Sequence, residues 1–150
     1  MGIRITLQQI NNTTMPTLET TKPATLSYSQ EIEIQRLSDL LCGAFEGGSN
    51  YWYQIDKFVK PENFDNSEEG DEKFRHLSYP CNKGGSLIIS VPEDNDGKTY
   101  TLNLESMAKG LQVMAKDYPT HMENFLACND DAETSDVYLQ CCLFGEVIYG

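Results

Sequence analysis

Two alternating apolar segments joined by a turn-forming sequence predict a β-hairpin near the middle of the chain. GGSLIISV occupies residues 84–91 and KTYTLNL residues 98–104, and both segments have the aliphatic and β-branched content of strands. The sequence between them, PEDNDG, contains Pro92 and Gly97, which are typical of turns. The hairpin predicts an antiparallel sheet, rather than an all-helical bundle or an extended parallel sheet.

Apolar residues recur at helical spacing on both sides of this hairpin. Before it, they recur every three or four positions over residues 31–46, and Gly47 with Gly48 ends that helix. After it, a second amphipathic face is formed by Met107, Leu111, Met114 and Tyr118. Pro119 has no backbone N–H to continue the helix, so this second helix is predicted to stop at about residue 117.

Two capping-box patterns predict where the last helices begin. Thr120 is followed three positions later by Glu123, which predicts a short helix capped by Thr120. Asp130 and Glu133 repeat the pattern ahead of a helix over about residues 131–145. The segment VYLQCC within this last helix would also suit a strand, and the sequence leaves both forms open.

Two further strands complete the prediction. ATLSYS, residues 24–29, predicts a short strand, and YWYQI, residues 51–55, follows the two glycines with the aromatic content of a strand. In such a strand Tyr51 and Tyr53 share one face and Trp52 lies on the other. Together the elements predict an α+β fold, an antiparallel sheet with a central hairpin packed on one side by three to four helices.

The first residues differ in composition from the rest of the chain. They are rich in Thr, Asn and Gln, and Ile3, Ile5 and Leu7 alternate as in a short edge strand. We therefore interpret residues 1–23 as a loosely ordered N-terminal arm and residues 24–150 as a single α+β domain.

Charge limits the classes of partner. Acidic residues outnumber basic ones 23 to 11, and the formal net charge is −12. Nucleic-acid backbones are bound by clustered Lys and Arg, so direct binding of nucleic acid is disfavoured. The acidity serves either solubility through self-repulsion or docking on a basic protein surface. The candidate docking residues share one segment without apolar periodicity: Glu62, Asp65, Glu68, Glu69, Asp71 and Glu72.

Motifs for cofactors and metals are not found in the sequence. His76 and His121 lie 45 positions apart without zinc-site spacing, and no phosphate-binding glycine loop follows a strand. Cys141 and Cys142 are predicted as small core residues. We expect no cofactor, no metal, reduced cysteines, no membrane association and a cytoplasmic location.

Polar groups concentrate around EGGSNYWY, residues 46–53, beside the single Trp of the chain. Ligand sites usually combine an apolar body with a few placed polar groups, and the alternative is that these residues are helix caps and turns. The predicted ligand-binding residues form two walls, Glu46, Ser49, Asn50, Trp52 and Tyr53 on one side and His121, Asp130, Thr134 and Asp136 on the other. If these residues form a site, substitution of Asp136 should abolish ligand binding at little cost in stability.

EGGSNYWY and a closing sequence, DAETSDVYLQCCLFGEVIYG, carry a family resemblance. Residues 31–150 resemble a group of small uncharacterised proteins encoded by tailed phages and prophages, whose closing pattern is D-A-x-T-A-D-x-x-x-Q-x-x-x-F-G-E-x-x-Y-G. Ser135 stands where that pattern has Ala. The resemblance implies a phage accessory protein that acts in the cytoplasm of the infected bacterial host, and it implies no particular activity.

Two function classes are expected from these observations. The first is a non-enzymatic binder that counters host defence by blocking a defence protein or capturing its nucleotide-like signal. The alternative is a small hydrolase acting on a nucleotide or related metabolite, with His121, Asp136 or Glu46 as acid–base groups. The sequence has no nucleophile–base signature, which favours the binder. The apolar closing segment VYLQCCLFGEVIYG further predicts homo-oligomers.

Overall fold

A computed structural model describes residues 2–10, 25–61, 80, 84–93 and 96–150. The elements are β1 (Gly2–Ile10), β2 (Thr25–Glu33), α1 (Ile34–Gly43), a π-helical turn (Ala44–Gly48), β3 (Gln54–Val59), β4 (Ser86–Ser90), β5 (Thr99–Leu102), α2 (Leu104–Asp117), α3 (Pro119–Leu126) and α4 (Ala132–Phe144). A three-stranded antiparallel sheet, of order β3-β4-β5, and the four α-helices confirm the predicted α+β fold over these residues.

The central hairpin is confirmed. Strands β4 and β5 pair antiparallel, with Leu87 opposite Leu102. Gly97 has a φ of 67°, a left-handed conformation that suits glycine in the turn. Leu87 and Ile89 are fully buried, so one face of β4 lies against the core.

The predicted strand over residues 51–55 begins later than expected. Tyr51 and Trp52 lie in a turn, closed by a hydrogen bond from the Trp52 backbone N–H to the Ser49 carbonyl oxygen at 3.2 Å, and β3 starts at Gln54. Tyr51 is 56% exposed whereas Trp52 is 2% exposed. The two side chains therefore point to opposite sides, as predicted, but they do so in a turn and not in a strand.

The N-terminal strand pairs along its whole length with β2. Gly2 lies opposite Glu33 and Ile10 opposite Thr25, so the paired region is longer than the sequence pattern predicts. Strand β1 also approaches α2. Residues 11–24 lie outside the described residues, and the proposed division of the chain at residue 24 stays a prediction.

Helix α1 is shorter at its start than predicted. Residues 31–33 belong to the end of β2, and the helical path begins at Ile34. Past Gly43 the chain continues as the π-helical turn up to Gly48. The predicted end of the helical path at the two glycines is confirmed.

Helix α4 is the centre of the fold. Residues 134–142 are all buried, and α4 contacts α1, α2, α3, β5 and the π-helical turn. A helix that is surrounded on all sides has no polar face, which explains why VYLQCC resembles a buried strand in sequence. Cys141 and Cys142 are buried, as predicted for core residues.

Close helix contacts require small residues against α4. A Cβ atom added to Gly110 on α2 would lie 2.8 Å from the Cα atom of Cys142, and one added to Gly43 would lie 2.5 Å from the Ser135 hydroxyl. Ordinary carbon contacts begin near 3.5 Å, so α1 and α2 approach α4 only because these positions lack side chains.

Burial within the chain accounts for the apolar closing segment that suggested self-association. Val137, Tyr138 and Leu139 are each at most 6% exposed, and Ile148 is 55% exposed. Val137, Tyr138 and Leu139 are thus covered without a second copy, and homo-oligomer formation stays a prediction. Within the described ranges, no helix is both long and apolar enough to cross a membrane.

Both predicted capping boxes are misplaced by one or two residues. Helix α3 begins at Pro119 instead of being capped by Thr120, because proline already has helical φ and needs no partner for an N–H. Helix α4 is capped by Asp131, whose carboxylate accepts a hydrogen bond from the Thr134 backbone N–H at 2.9 Å. Asp130 instead forms an ion pair with Arg36.

Removing the Asp131 cap should cost about 1 kcal/mol at neutral pH. Hydrogen bonds from Thr134 lower the pKa of Asp131 below its ordinary value of 3.8. A lowered folded-state pKa means that the carboxylate contributes fully above pH 3.8 and loses its contribution as the pH falls through the folded-state pKa. Urea unfolding of wild type and Asp131→Ala at several pH values should therefore show a difference that shrinks in acid.

Asp131→Asn is the matched control for this cap. Asn retains a side-chain oxygen for the Thr134 N–H and has no carboxyl to titrate, so its stability relative to wild type should stay within a few tenths of a kcal/mol at neutral pH. An equal loss in Asp131→Asn and Asp131→Ala would contradict the capping assignment.

Candidate functional site

The EGGSNYWY segment and α4 meet around one buried carboxylate. Asp136 on α4 is 8% exposed. Its Oδ1 atom accepts hydrogen bonds from the Ser49 hydroxyl at 2.5 Å and from the Trp52 indole N–H at 2.8 Å, and Oδ2 accepts one from the Gln140 side-chain amide at 2.8 Å. Three predicted site residues are thus brought together. Their burial contradicts the expectation that Asp136 could be lost at little cost in stability.

The glycines of EGGSNYWY explain how the chain reaches this carboxylate. A Cβ atom added to Gly48 would lie 2.1 Å from the backbone carbonyl oxygen of Ala132, so the backbone of the π-helical turn rests directly on α4. The turn ends with a hydrogen bond from the Ser49 N–H to the Ala44 carbonyl at 2.8 Å. Ser49 is fully buried as a result, and its hydroxyl points at Asp136.

The C-terminal segment completes the site through Gln140. The Gln140 carboxamide is fully buried and makes a two-bond pair with the backbone of Tyr149, accepting from its N–H at 2.7 Å and donating to its carbonyl oxygen at 2.7 Å. The N–H of Ile148 also donates to Gln140 Oε1 at 2.7 Å. These bonds hold residues 148–149 beside the Asp136 network.

An aromatic stack lies on the same residues. The Tyr149 ring is nearly parallel to the Trp52 indole, with 5.3 Å between ring centroids and 13° between planes. The rings of Phe144 and Tyr53 also pack against the indole, with centroid-to-centroid distances of 5.4 and 5.9 Å. Trp52 is therefore enclosed by rings on several sides, with its N–H bound to a carboxylate.

Gln140 and Tyr149 were missed as site residues in the sequence. Gln140 could have been found from its position within the apolar run VYLQCC, because a buried carboxamide needs hydrogen-bond partners from elsewhere in the fold. Tyr149 gave no local signal, since its partner Trp52 is distant in sequence.

The remaining residues of the first predicted wall have other roles. Glu46 and Asn50 are exposed, and the Tyr53 hydroxyl donates to the Phe45 carbonyl oxygen at 2.9 Å. Partial burial of the Tyr51 phenol, and then the charge of the Asp136 carboxylate, raise the pKa of Tyr51 above its ordinary value. One wall thus presents Tyr51, Asn50 and Glu46 to solvent and directs Ser49 and Trp52 inward.

The second predicted wall is divided between separate pairs. His121 Nδ1 lies 3.0 Å from the Thr134 hydroxyl, while Asp130 and Arg36 form an ion pair at 3.0 Å. The Arg36 guanidinium also donates to the Phe125 carbonyl and lies over the Phe125 ring. These contacts stabilise the loop before α4. Of the four residues of this wall, only Asp136 is hydrogen-bonded to Trp52.

Other candidate chemistry is limited. Over the described part of the chain, no group of three His, Cys, Asp or Glu side chains could hold a metal ion. Burial raises the pKa of the Cys141 thiol to about 12, so this cysteine stays protonated. An open groove between α2 and the end of α4 is bordered by Lys109, but Lys109 is already paired with Glu105 at 2.7 Å.

Comparison with known proteins gives no further guide to the site. No protein-family model, curated protein or solved structure matches the chain. The candidate docking residues at positions 62–72 lie outside the described residues. The function must therefore be inferred from the Trp52, Gln140 and Asp136 arrangement.

Proposed function

We propose that this chain is a non-enzymatic binding protein of the phage accessory type, which counters a host defence by capturing a nucleotide-like signal. The observation that carries the proposal is the surface under the C-terminal segment. There Trp52 holds a parallel aromatic ring, and Gln140 pairs with an adjacent N–H and carbonyl oxygen. A nucleobase carries the same combination of a flat ring and a neighbouring donor and acceptor.

The proposed contacts have established physical counterparts. Flat rings stack on Trp with about 1–3 kcal/mol per base. A carboxamide pairs through two hydrogen bonds with a base edge that offers one donor and one acceptor. Asp136 would act as a positioning residue, because its carboxylate holds the Trp52 N–H and the Gln140 amide in place.

Binding is favoured over catalysis by the partners of the acid–base candidates. Asp136 accepts three hydrogen bonds and is held in a fixed orientation. His121 is engaged with Thr134. An acid and a base for hydrolysis should converge on one substrate atom, and these two groups are used in different networks.

Charge predicts which part of a nucleotide contributes most to binding. The chain carries a net charge of −12, which opposes dense phosphate charge near the site. Lys98 lies over the Tyr100 ring at 4.8 Å, and Tyr100 packs on Phe144 beside Trp52, so one ammonium group borders the aromatic cluster. We therefore expect nucleosides and monophosphates to be retained, with the base as the main determinant.

Equilibrium dialysis of the full chain against guanosine and adenosine should show stoichiometric retention of unchanged ligand. Purine riboside, which has ring acceptors but no exocyclic donor, should bind more weakly because it can form only one bond with Gln140. Gln140→Leu should weaken guanosine binding about tenfold, which corresponds to roughly 1.4 kcal/mol. Gln112→Leu makes the same chemical change at an exposed position of α2 and should have no effect.

The outcome also separates the alternatives. Conversion of the nucleoside would support the hydrolase instead. Retention by neither the full chain nor a chain lacking the C-terminal segment would contradict the proposal. Blocking of a basic defence protein by the acidic residues at positions 62–72 would then be the remaining form of the binder hypothesis, since the net charge favours such docking.

A further inference from the structure

We infer that residues 146–150 form a displaceable strap, which occupies the proposed ligand surface as an internal mimic of the ligand and must leave for the ligand to bind. This inference rests on the proposed function of the Trp52 and Gln140 surface. It adds a means of regulation to that site. The term strap is used below for residues 146–150.

The strap fills the surface with the groups that a ligand would supply. Tyr149 contributes a ring on Trp52 and an N–H with a carbonyl oxygen on Gln140. Two further backbone bonds hold the strap, from the Ile148 N–H to Gln140 and from the Val147 N–H to the Tyr118 hydroxyl at 2.8 Å, and the Val147 and Tyr149 side chains pack against the core. Three of these four hydrogen bonds end on Gln140.

The construction of the strap favours local opening. It has no regular secondary structure, and Glu146, Ile148 and Gly150 are exposed. Gly145, at the C-cap of α4, has a φ of 75°, where glycine allows the chain to turn at little steric cost. Segments with few fully buried side chains and no regular secondary structure can open locally at a free energy below that of global unfolding.

Opening of the strap would leave Gln140 and Trp52 without the partners that Tyr149 and Ile148 now supply. Gln140 would lose its bonds to the backbone of residues 148 and 149, and the Trp52 face would lose its stacked ring. A carboxamide with unmet donors and acceptors costs about 1–3 kcal/mol when it stays dry. A base that restores both hydrogen bonds and the stack therefore competes directly with Tyr149.

Deletion of the strap, and Tyr149→Ala in the full chain, should tighten guanosine binding about tenfold. In both variants the state in which the Trp52 and Gln140 surface is open no longer has to be populated before guanosine binds. The same variants should raise acrylamide quenching of Trp52, the single tryptophan, in the absence of ligand. Glu146→Gln changes an exposed strap residue and should leave affinity and quenching unchanged.

Four results would overturn the inference. Unchanged quenching and affinity in both variants would show that the strap does not cover the site. Raised quenching with unchanged affinity would show that the strap opens without gating binding, while the proposed function would stand. Binding by no form of the chain would remove the site itself, and unfolding of Tyr149→Ala, seen by circular dichroism, would make the strap an integral part of the core.

Discussion

Gly48→Ala should lower the free energy of unfolding by about 3 kcal/mol, one of the largest effects expected of any single-methyl change in this chain. The added Cβ atom would lie 2.1 Å from the Ala132 carbonyl oxygen and 3.0 Å from the Asp136 Cβ atom. The first neighbour is helix backbone, which cannot rotate away as a side chain can. The π-helical turn and α4 must therefore separate, which also displaces Ser49 from Asp136. Urea unfolding at neutral pH measures the loss.

Gly47→Ala is the matched control for this contact. The added Cβ atom at Gly47 would lie 3.8 Å from the Ala132 Cβ atom, an ordinary van der Waals distance. Gly47 is also exposed, and alanine restricts the unfolded chain more than glycine does. We expect Gly47→Ala to be neutral or stabilising by up to about 1 kcal/mol. Equal losses in the two variants would show that the glycines are needed for turn conformation and not for contact with α4.

Much of the fold follows from local sequence. The β4–β5 hairpin, the end of the first helical path at Gly48 and the end of α2 were predicted because turn residues, helix-ending glycines and Pro119 act within a few positions of themselves. The start of β3 was misplaced because Trp52 is turned inward by a hydrogen bond to Asp136, a partner 84 residues away. Such a contact has no local signature.

The site was predicted in part for the same reason. A concentration of polar groups beside the single Trp pointed to Ser49 and Trp52, and the capping pattern pointed to the start of α4. Local pattern could not separate Asp136, which faces the core, from Asp130, which faces Arg36. Only the packing of α4 on all sides decides which of its polar residues are buried.

A structural role and the proposed positioning role coincide at Asp136. Its carboxylate holds Ser49, Trp52 and Gln140, so it links the EGGSNYWY turn to α4 and, through Gln140, to the strap. A carboxylate that only capped a helix would not need an indole and a carboxamide as donors. This arrangement predicts that substitutions at Asp136 alter how firmly the strap is held. Free energies of unfolding are enough to test this, without a ligand.

Asp136→Ala should cost about 3–5 kcal/mol, because three buried donors would lose their acceptor at once. Asp136→Asn is the more informative change. The Asn oxygen can still accept from Ser49 and Trp52, but its NH2 group would face the Gln140 NH2 group, donor against donor. Gln140 cannot relieve this by turning its amide over, because both ends of that amide are bonded to the backbone of residues 148–149.

The resulting cost of Asp136→Asn, about 1–3 kcal/mol, should therefore depend on the strap. In a double-mutant cycle with strap deletion, the loss caused by Asp136→Asn should shrink by about 1 kcal/mol, since Gln140 is then free to turn and accept from the new amide. Asp130→Asn, at the partly exposed ion pair with Arg36, should cost at most about 1 kcal/mol and be additive with strap deletion. Additivity for Asp136→Asn as well would mean that Gln140 does not connect the buried carboxylate to the strap, and that Asp136 stabilises the turn and α4 alone.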